Sequence, residues 1–475
     1  MELFNQFIED SFYINLFIYT KMKKYLFLVA SAVLGFVCTA NAQEVELPKY
    51  QRSSLHLVLL TTEEPALEGA EDFSAKLDEA WHSYPFPDKY NEHKIDLTVA
   101  YGGKPKGSMM EIIKQYSNGL DNLSLTDAKE IMAVITDGKQ YEESLVNTVN
   151  EIVVNEKVGN QLIRKWFNIK DDGSYDTELI NDRAAYNADQ AAIAEAEMLS
   201  RGTQAILDQG EDLVGNTFVV FSKLSFYSNE PVAAFICNLA KVIASGLPGI
   251  AAEAGILAAE KVYDATKDGY TAKTTSALYQ LDWNEEVQGE FYAMFEGDKI
   301  NMEKFNAYTF PMTLVGIDSA NSVTVGSKRA GVEAAATGAD VSDVMIKNTI
   351  VRNIDKVFAK LQKNYEVFAP VSQIISVNPL VADMGMKEGL EGGEAFNLLE
   401  PVYNKQTGKV EWKSIGVVKV SKKPGEIWDN RYSLLDEANG ETPAEEPAIK
   451  GTILSNNKKA VPGMVVRQVV KAKKK

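Results

Sequence analysis

The segment NTFVVFSKLSF, residues 216–226, changes the hydrophobic period of the chain from helical to two. Four apolar side chains on alternate positions predict a strand with one buried face. They are Phe218, Val220, Leu224 and Phe226. The preceding residues 187–209 carry apolar side chains at helical spacing and end before Gly210, which favours a helix end. A helix followed by strands indicates an α+β domain.

Three further segments continue the predicted sheet. Tyr270–Leu281 and Val287–Phe295 have the composition of strands, and residues 282–286 (DWNEE) between them predict a hairpin turn. Pro311–Ser327 predicts another strand. We therefore expect helices packed on an antiparallel sheet.

Other segments extend this pattern on both sides. Apolar side chains at helical spacing predict a helix that opens near Thr126 and a second one through 145–153 that runs towards Trp166. Val341–Tyr365 is the most regular helical pattern of the chain. From Val367 onward, short apolar segments alternate with turn residues, which is typical of a small β-barrel or sandwich.

Residues 22–42, MKKYLFLVASAVLGFVCTANA, have the three parts of a secretory signal. Two lysines precede a short apolar run, and Ala40-Asn41-Ala42 forms a cleavage site before Gln43. Met22 is therefore the expected initiator. In the mature chain Cys237 would be alone, so no internal disulfide is expected.

These patterns divide the chain into successive parts. The predicted parts are an upstream extension outside the native chain (1–21), a signal peptide (22–42), an N-terminal strand and loop region (43–110), an α+β domain (111–330) with a helical insert (231–262), and a helix plus a small β-barrel module (341–475) with an acidic loop (436–449).

The charge balance excludes one class of partner. The formal net charge is -17 and the pI is near 4.9. A nucleic-acid-binding protein needs a basic face that neutralises phosphates, so we expect no nucleic-acid partner. The same charge opposes electrostatic docking to anionic lipid.

The insert 231–262 is unusually apolar. From Val232 to Ala252 its only formal charge is Lys241, and this length approaches that of a membrane span. Pro248 and its flanking glycines break the run, which predicts a helical hairpin. The alternative is an element that reaches a bilayer or a neighbouring subunit on assembly. Five residues that lie on one side of a helix are the candidate contact residues: Phe235, Leu239, Val242, Gly246 and Ile250.

No catalytic constellation stands out. The histidines lack metal-ligand spacing, and no candidate serine lies in a nucleophile elbow. We therefore predict no catalytic residue, metal ligand or cofactor. An alternative is a site near His82 and His93, beside the proline-rich segment 81–88, in a ligand-binding or hydrolytic protein.

The order of elements resembles a known group of proteins. Residues 196–226, a helix before an apolar strand, and residues 270–295 are similar to the α+β domain of the curli secretion-pore family and related periplasmic assembly proteins. The last third resembles the small C-terminal barrel of flagellar and envelope-assembly proteins, through residues 351–361, 384–402, 414–420 and 462–468. The resemblance implies an envelope location and a non-enzymatic class.

The sequence thus predicts an exported, non-enzymatic cell-envelope protein, in the periplasm or at the outer-membrane periphery of a Gram-negative bacterium. It would act as a scaffold or assembly factor through contacts with an envelope partner or with further copies of itself. The alternatives are a periplasmic ligand-binding or hydrolytic protein and a membrane-inserting oligomer that uses residues 231–262.

Overall fold

The computed structural model describes residues 53–65, 72–180, 182–183, 213–324, 334–335, 338, 340–404, 409–431, 451–461 and 464–470. Residues 1–42, the predicted helix 187–209 and the acidic loop 436–449 lie outside these ranges. The described chain forms two compact units. The sheet unit comprises residues 47–112, 137–228 and 269–475, and the helical unit comprises residues 113–136 and 229–268.

The sheet unit contains a mixed sheet. Its strands are β1 (Ser53–Thr61), β2 (Tyr90–Glu92), β3 (Val99–Tyr101), β4 (Thr217–Ser228) and β5 (Tyr270–Leu281), with β8 (Met312–Thr324) at one edge; the short strands β6 (Phe295–Glu296) and β7 (Lys299–Ile300) pair separately. The order is β2-β1-β4-β5-β8, and β3 also pairs with β1. Strand β1 runs parallel to β2, β3 and β4, whereas β4, β5 and β8 are antiparallel. The prediction of an antiparallel sheet was therefore wrong for β1, because local alternation does not reveal which distant strand becomes the neighbour.

The helices of the sheet unit lie on both sides of this sheet. In chain order the helices of both units are α1 (Ser74–His82), α2 (Met109–Tyr116), α3 (Leu125–Asp137), α4 (Lys139–Asn155), α5 (Val158–Trp166), α6 (Asn229–Ser245), α7 (Ile250–Thr266), α8 (Glu285–Tyr292), α9 (Met302–Ala307) and α10 (Val341–Asn364), and α3, α6 and α7 belong to the helical unit. The structure confirms the helix near Thr126 and the long helix from Val341. The expected run towards Trp166 is broken at Lys157, which has a φ of 48°. The region 43–110, predicted to consist of strand and loop, also contains the helix α1.

The predicted strand at 287–295 is mainly a helix. The side chain of Asn284 accepts a hydrogen bond from the backbone N–H of Val287 and caps the start of α8. Val287 and Phe291, spaced as i and i+4, are both buried in the core. An alternating pattern that includes positions i and i+4 fits both the period of a strand and that of a helix. Here the Asn284 cap favours the helix. The antiparallel partner that follows β5 is β8.

Strand β4 is buried on both faces, not on one. Val219 and Phe221 belong to the first core, which includes residues of α4 and α5. Phe218 and Val220 belong to the second core, which includes residues of α1 and α10. Because successive strand side chains point to opposite faces, this division places helices on both sides of β4.

The C-terminal part of the sheet unit is a second, antiparallel sheet. Its strands are β9 (Val371–Val377), β10 (Leu380–Ala382), β11 (Ala395–Asn404), β12 (Lys409–Lys419), β13 (Thr452–Ile453) and β14 (Val465–Gln468), in the order β12-β11-β14-β9-β10-β13. A single bridge joins Val420, after β12, to Leu454, after β13. The described strands do not form a closed barrel. The structure therefore supports an antiparallel β-module here but does not confirm the predicted barrel.

A buried polar junction lies between α10 and this module. Asp355 of α10 is 4% exposed, and its carboxylate faces Tyr84, Lys387, Glu388 and Arg352. Burial raises the pKa of Asp355 to about 6, and the charge of Glu388 adds to the rise. The positive charge of Lys387 opposes it.

Protonation of Asp355 should stabilise the fold. The folded-state pKa of Asp355 lies above the unfolded value of 3.8, so the free energy of unfolding falls as the pH rises from about 4 to 6. We expect Asp355→Asn to raise the free energy of unfolding at pH 7, by up to about 3 kcal/mol. Urea denaturation between pH 4 and 8 measures this effect. The exposed Asp298→Asn is the control, and a variant with the wild-type pH dependence would contradict the assignment.

Candidate functional site

A cleft of about 680 Å³ opens in the sheet unit where β1 and β4 diverge. Strand β1 pairs with β4 from Ser54 to Leu59, opposite Thr217 to Ser222. Beyond that point β4 continues to Ser228, and the cleft lies between this part of β4 and the segment that follows the paired part of β1. Its walls are formed by residues 59–65, by the start of α1, by residues 223–227 of β4 and by Met110. We call it the β4 cleft.

A buried ion pair lies in one wall of the β4 cleft. The ammonium of Lys223, a residue only 8% exposed, lies 3.0 Å from Oε1 of Glu64. It also donates to the carbonyl of Leu224 at 2.8 Å and to the hydroxyl of Ser225 at 3.1 Å. These three partners use all the donors of the ammonium. Lys223 therefore offers the cleft no free donor.

Further ionisable side chains surround this pair on the same face of the sheet. The ammonium of Lys273 lies over the ring of Tyr141, 4.8 Å from its centroid. Burial lowers the pKa of Lys273, and the charges of Glu64 and Glu142 partly oppose this. Burial also raises the pKa of Tyr227 to about 12, with a smaller contribution from Glu64. The tyrosine hydroxyls therefore stay neutral at neutral pH.

The lining of the β4 cleft suits binding better than catalysis. Its described side chains include neither histidine nor cysteine. Leu59, Leu77 and Met110 contribute apolar surface, and the hydroxyl of Thr62 is buried without a hydrogen-bond partner among the described residues. A concave, partly apolar cavity with a few polar groups is the usual form of a ligand site.

Of the two histidines of the alternative site, His93 is buried and His82 is exposed. His93 is fully buried against Trp166, 4.9 Å between ring centroids. Its Nε2 donates to the carbonyl of Leu162 at 3.0 Å, since its Nδ1 accepts from the guanidinium of Arg183 at 3.0 Å. Burial and, to a smaller extent, the charge of Arg183 together lower the pKa of His93 to about 3.

His82, in contrast, is exposed at the end of α1, where its Nδ1 lies 2.9 Å from the carbonyl of Asp78. Helix α1 contributes Ala80 to the second core, whereas Trp166 belongs to the first. The structure therefore does not bring His82 and His93 together, and neither lines the β4 cleft.

The insert 231–262 forms the helical hairpin α6–α7 of the helical unit. Cys237, Ala240 and Ala259 pack together, and Met132 and Tyr263 lie against them. The ammonium of Lys241 lies 2.9 Å from Oε1 of Glu260 and links the two helices. These contacts hold the hairpin together as the sequence predicted.

The five candidate contact residues do not share one helix face. Phe235 and Leu239 are buried and Val242 is half-buried on α6. Gly246 follows α6, and a Cβ there would lie 2.6 Å from Cδ2 of Leu125. Ile250 begins α7 and is 85% exposed. Of these five, Ile250 and Gly246 are the exposed ones.

An exposed apolar stripe follows Ile250 along α7, and apart from Ile250 it contains none of the five predicted contact residues. Ala251, Ala254 and Leu257 are exposed at helical spacing, and Leu257 is 57% exposed. The helical spacing of these residues is visible in the sequence. Which face of α7 is exposed depends on how α6 and α7 pack, and the sequence does not show this.

Two negative findings apply to the described ranges. No group of three or more His, Cys, Asp or Glu side chains there could hold a metal ion. None of the described helices has both the length and the apolar composition for a membrane crossing.

Removing the ammonium of Lys223 should destabilise the sheet unit. Lys223→Met leaves the Glu64 carboxylate and the Leu224 carbonyl without their partner, and we expect a loss of about 1–3 kcal/mol in the free energy of unfolding. Adding Glu64→Gln should recover part of this loss. Lys104→Met breaks an exposed pair with Glu63 and should change the stability by less than about 0.5 kcal/mol. Equal losses in Lys223→Met and Lys104→Met would refute a special role for the buried pair.

No protein-family model matches this sequence, and no curated protein does. A function for the chain therefore has to be inferred from the β4 cleft and the helical hairpin themselves.

Proposed function

We propose that this chain is an exported, non-enzymatic cell-envelope protein that acts as a scaffold or assembly factor through contacts with another protein. The observation that carries the proposal is the exposed apolar stripe on α7. It consists of Ile250, Ala251, Ala254 and Leu257. The signal-like segment 22–42 supports export.

The form of the stripe supports a helical contact. Its members follow the spacing by which an amphipathic helix enters a groove, with large side chains at both ends and alanines between them. Large apolar side chains exposed at helical spacing are a common feature of interaction sites. Two partners fit it: an envelope protein and a second copy of the chain.

The C-terminal module also supports a role in envelope assembly. A barrel-like form of its antiparallel sheet would agree with the resemblance to envelope-assembly proteins, and the bridge between Val420 and Leu454 supports it. Periplasmic or outer-membrane-peripheral location rests on the signal-like segment and on that resemblance.

A second candidate function is ligand binding in the periplasm. The size of the β4 cleft and the unpartnered hydroxyl of Thr62 favour it. The site would be the β4 cleft and not the region of His82 and His93, because His93 is fully buried.

A charge placed in the α7 stripe should abolish partner contact. Cells expressing the full chain are crosslinked before solubilisation and then fractionated. We expect discrete high-mass crosslinks for the wild type in the envelope fraction and their loss in Leu257→Glu. Val154→Glu is the matched control, because Val154 is 56% exposed on α4 among polar neighbours and lies outside the stripe.

Expressing two differently tagged copies of the chain in one cell distinguishes self-association from binding to another protein. Crosslinks between the tags indicate self-association, and their absence together with a high-mass product indicates another protein. A wild-type chain that remains a monomer, or equal crosslinking in Leu257→Glu and wild type, would refute the proposal.

A further inference from the structure

Among the described strands, the second half of β4 pairs on one side only. Strand β5 pairs with β4 from Phe218 to Ser228, whereas β1 pairs with it only as far as Ser222. Among the described residues, no strand pairs with the other edge of residues 223–228. This free edge faces the β4 cleft, which residues 223–227 line.

The backbone groups of two residues at this edge point towards the cleft. The N–H of Ser54 in β1 donates to the carbonyl of Asn216 at 3.0 Å, so even-numbered residues of β4 face β1. Backbone groups alternate between the two edges of a strand, so Leu224 and Phe226 face the same side. The bond from the Lys223 ammonium to the Leu224 carbonyl agrees with this direction.

We propose that the β4 cleft binds an extended basic peptide segment of a partner protein, which adds as a strand to the free edge of β4. Strand addition is a known mode of peptide recognition in which backbone hydrogen bonds supply affinity and flanking pockets supply specificity. The free edge spans six residues, or about 20 Å. A peptide of similar length fits along it.

The walls of the cleft favour an extended backbone over a compact ligand. The end of β1 lies on one side of the gap and β4 on the other, and Phe73 at the start of α1 packs edge-on against Phe226 at 4.9 Å. The hydroxyl of Thr62, which has no hydrogen-bond partner among the described residues, offers one more polar contact. A strand in this gap would meet the edge of β4 and the surface of α1 together.

The charge of the lining selects a basic segment. The lining carries Glu64, Asp72 and Asp78, against Lys223 alone. The ammonium of Lys223 is already saturated by Glu64, Leu224 and Ser225. An anionic ligand would therefore meet net negative charge, whereas lysine or arginine side chains would meet two exposed carboxylates.

Lys223 also protects the free edge of β4 when no peptide is bound. An inward-pointing lysine is a common way to protect a strand edge from uncontrolled pairing. A bound peptide would replace the ammonium at the Leu224 carbonyl with its own N–H. This site is separate from the α7 stripe, so the inference goes beyond the proposed function and does not depend on it.

The test uses the purified chain and a capped, fluorescently labelled peptide of alternating lysine and valine, about eight residues long. We expect saturable binding by fluorescence anisotropy at low salt. A peptide with N-methyl groups on alternate residues, which cannot donate along one edge, should bind at least about tenfold more weakly. A glutamate–valine peptide should not bind.

Variants of α1 test the charge contribution. Asp78→Asn should weaken binding by about two- to fivefold, as expected for an exposed charge. Glu79→Gln is the matched control, because Glu79 is the next exposed residue on α1 and does not line the cleft. An equal effect of both variants would indicate non-specific attraction to an acidic protein and refute the site.

Amide hydrogen exchange locates the bound strand. The N–H groups of Leu224 and Phe226 should exchange quickly in the free chain and slowly with the lysine–valine peptide bound. Slow exchange in the free chain would show that the edge is already paired, and equal binding of the N-methylated peptide would show that no strand is added. Either result overturns the inference, whatever the crosslinking of the α7 stripe shows.

Discussion

The burial of β4 on both faces is the constraint on which the rest of the sheet unit depends. Phe218 and Val220 pack into one core while Val219 and Phe221 pack into the other. A strand with this pattern needs helices on both sides, because neither face can be left to water. Strand β4 also joins the parallel half of the sheet, through β1, to its antiparallel half, through β5. Its change of neighbours creates the β4 cleft.

Two buried polar residues, Thr217 and Lys223, flank the apolar run of β4. At one end of β4, Trp166 donates to the hydroxyl of Thr217 at 2.8 Å, and Arg183 stacks over the same indole at 4.6 Å. Towards the other end, Lys223 replaces the apolar residues on the same face and pairs with Glu64. Most buried polar groups in proteins have a partner, since an unpaired one costs free energy. This explains why His93 has a structural role, with both ring nitrogens in hydrogen bonds.

Several elements were predictable because their signals are local. The strand patterns of β4 and β5, the long helix α10 and the glycine- and proline-broken hairpin α6–α7 each carry a period or a break within one segment. One error arose where a short apolar pattern fits both the period of a strand and that of a helix. Residues 287–295 alternate like a strand, yet the Asn284 cap and the burial of Val287 and Phe291 select a helix. The single long helix expected after residue 145 ends because the backbone at Lys157 turns with a positive φ.

Local patterns in the sequence were enough to predict the kind of most elements, the acidic charge that disfavours nucleic acid, and the division of the insert into two helices. They did not determine the neighbours of the strands, since parallel pairing of β1 with β4 joins residues more than 150 positions apart. The β4 cleft and the Glu64–Lys223 pair follow from such strand pairings, and the exposed face of α7 follows from its packing on α6. Only the tertiary structure decided them, because hydrogen bonds between distant strands and the packing of helices on a sheet leave no periodic signal in any one segment.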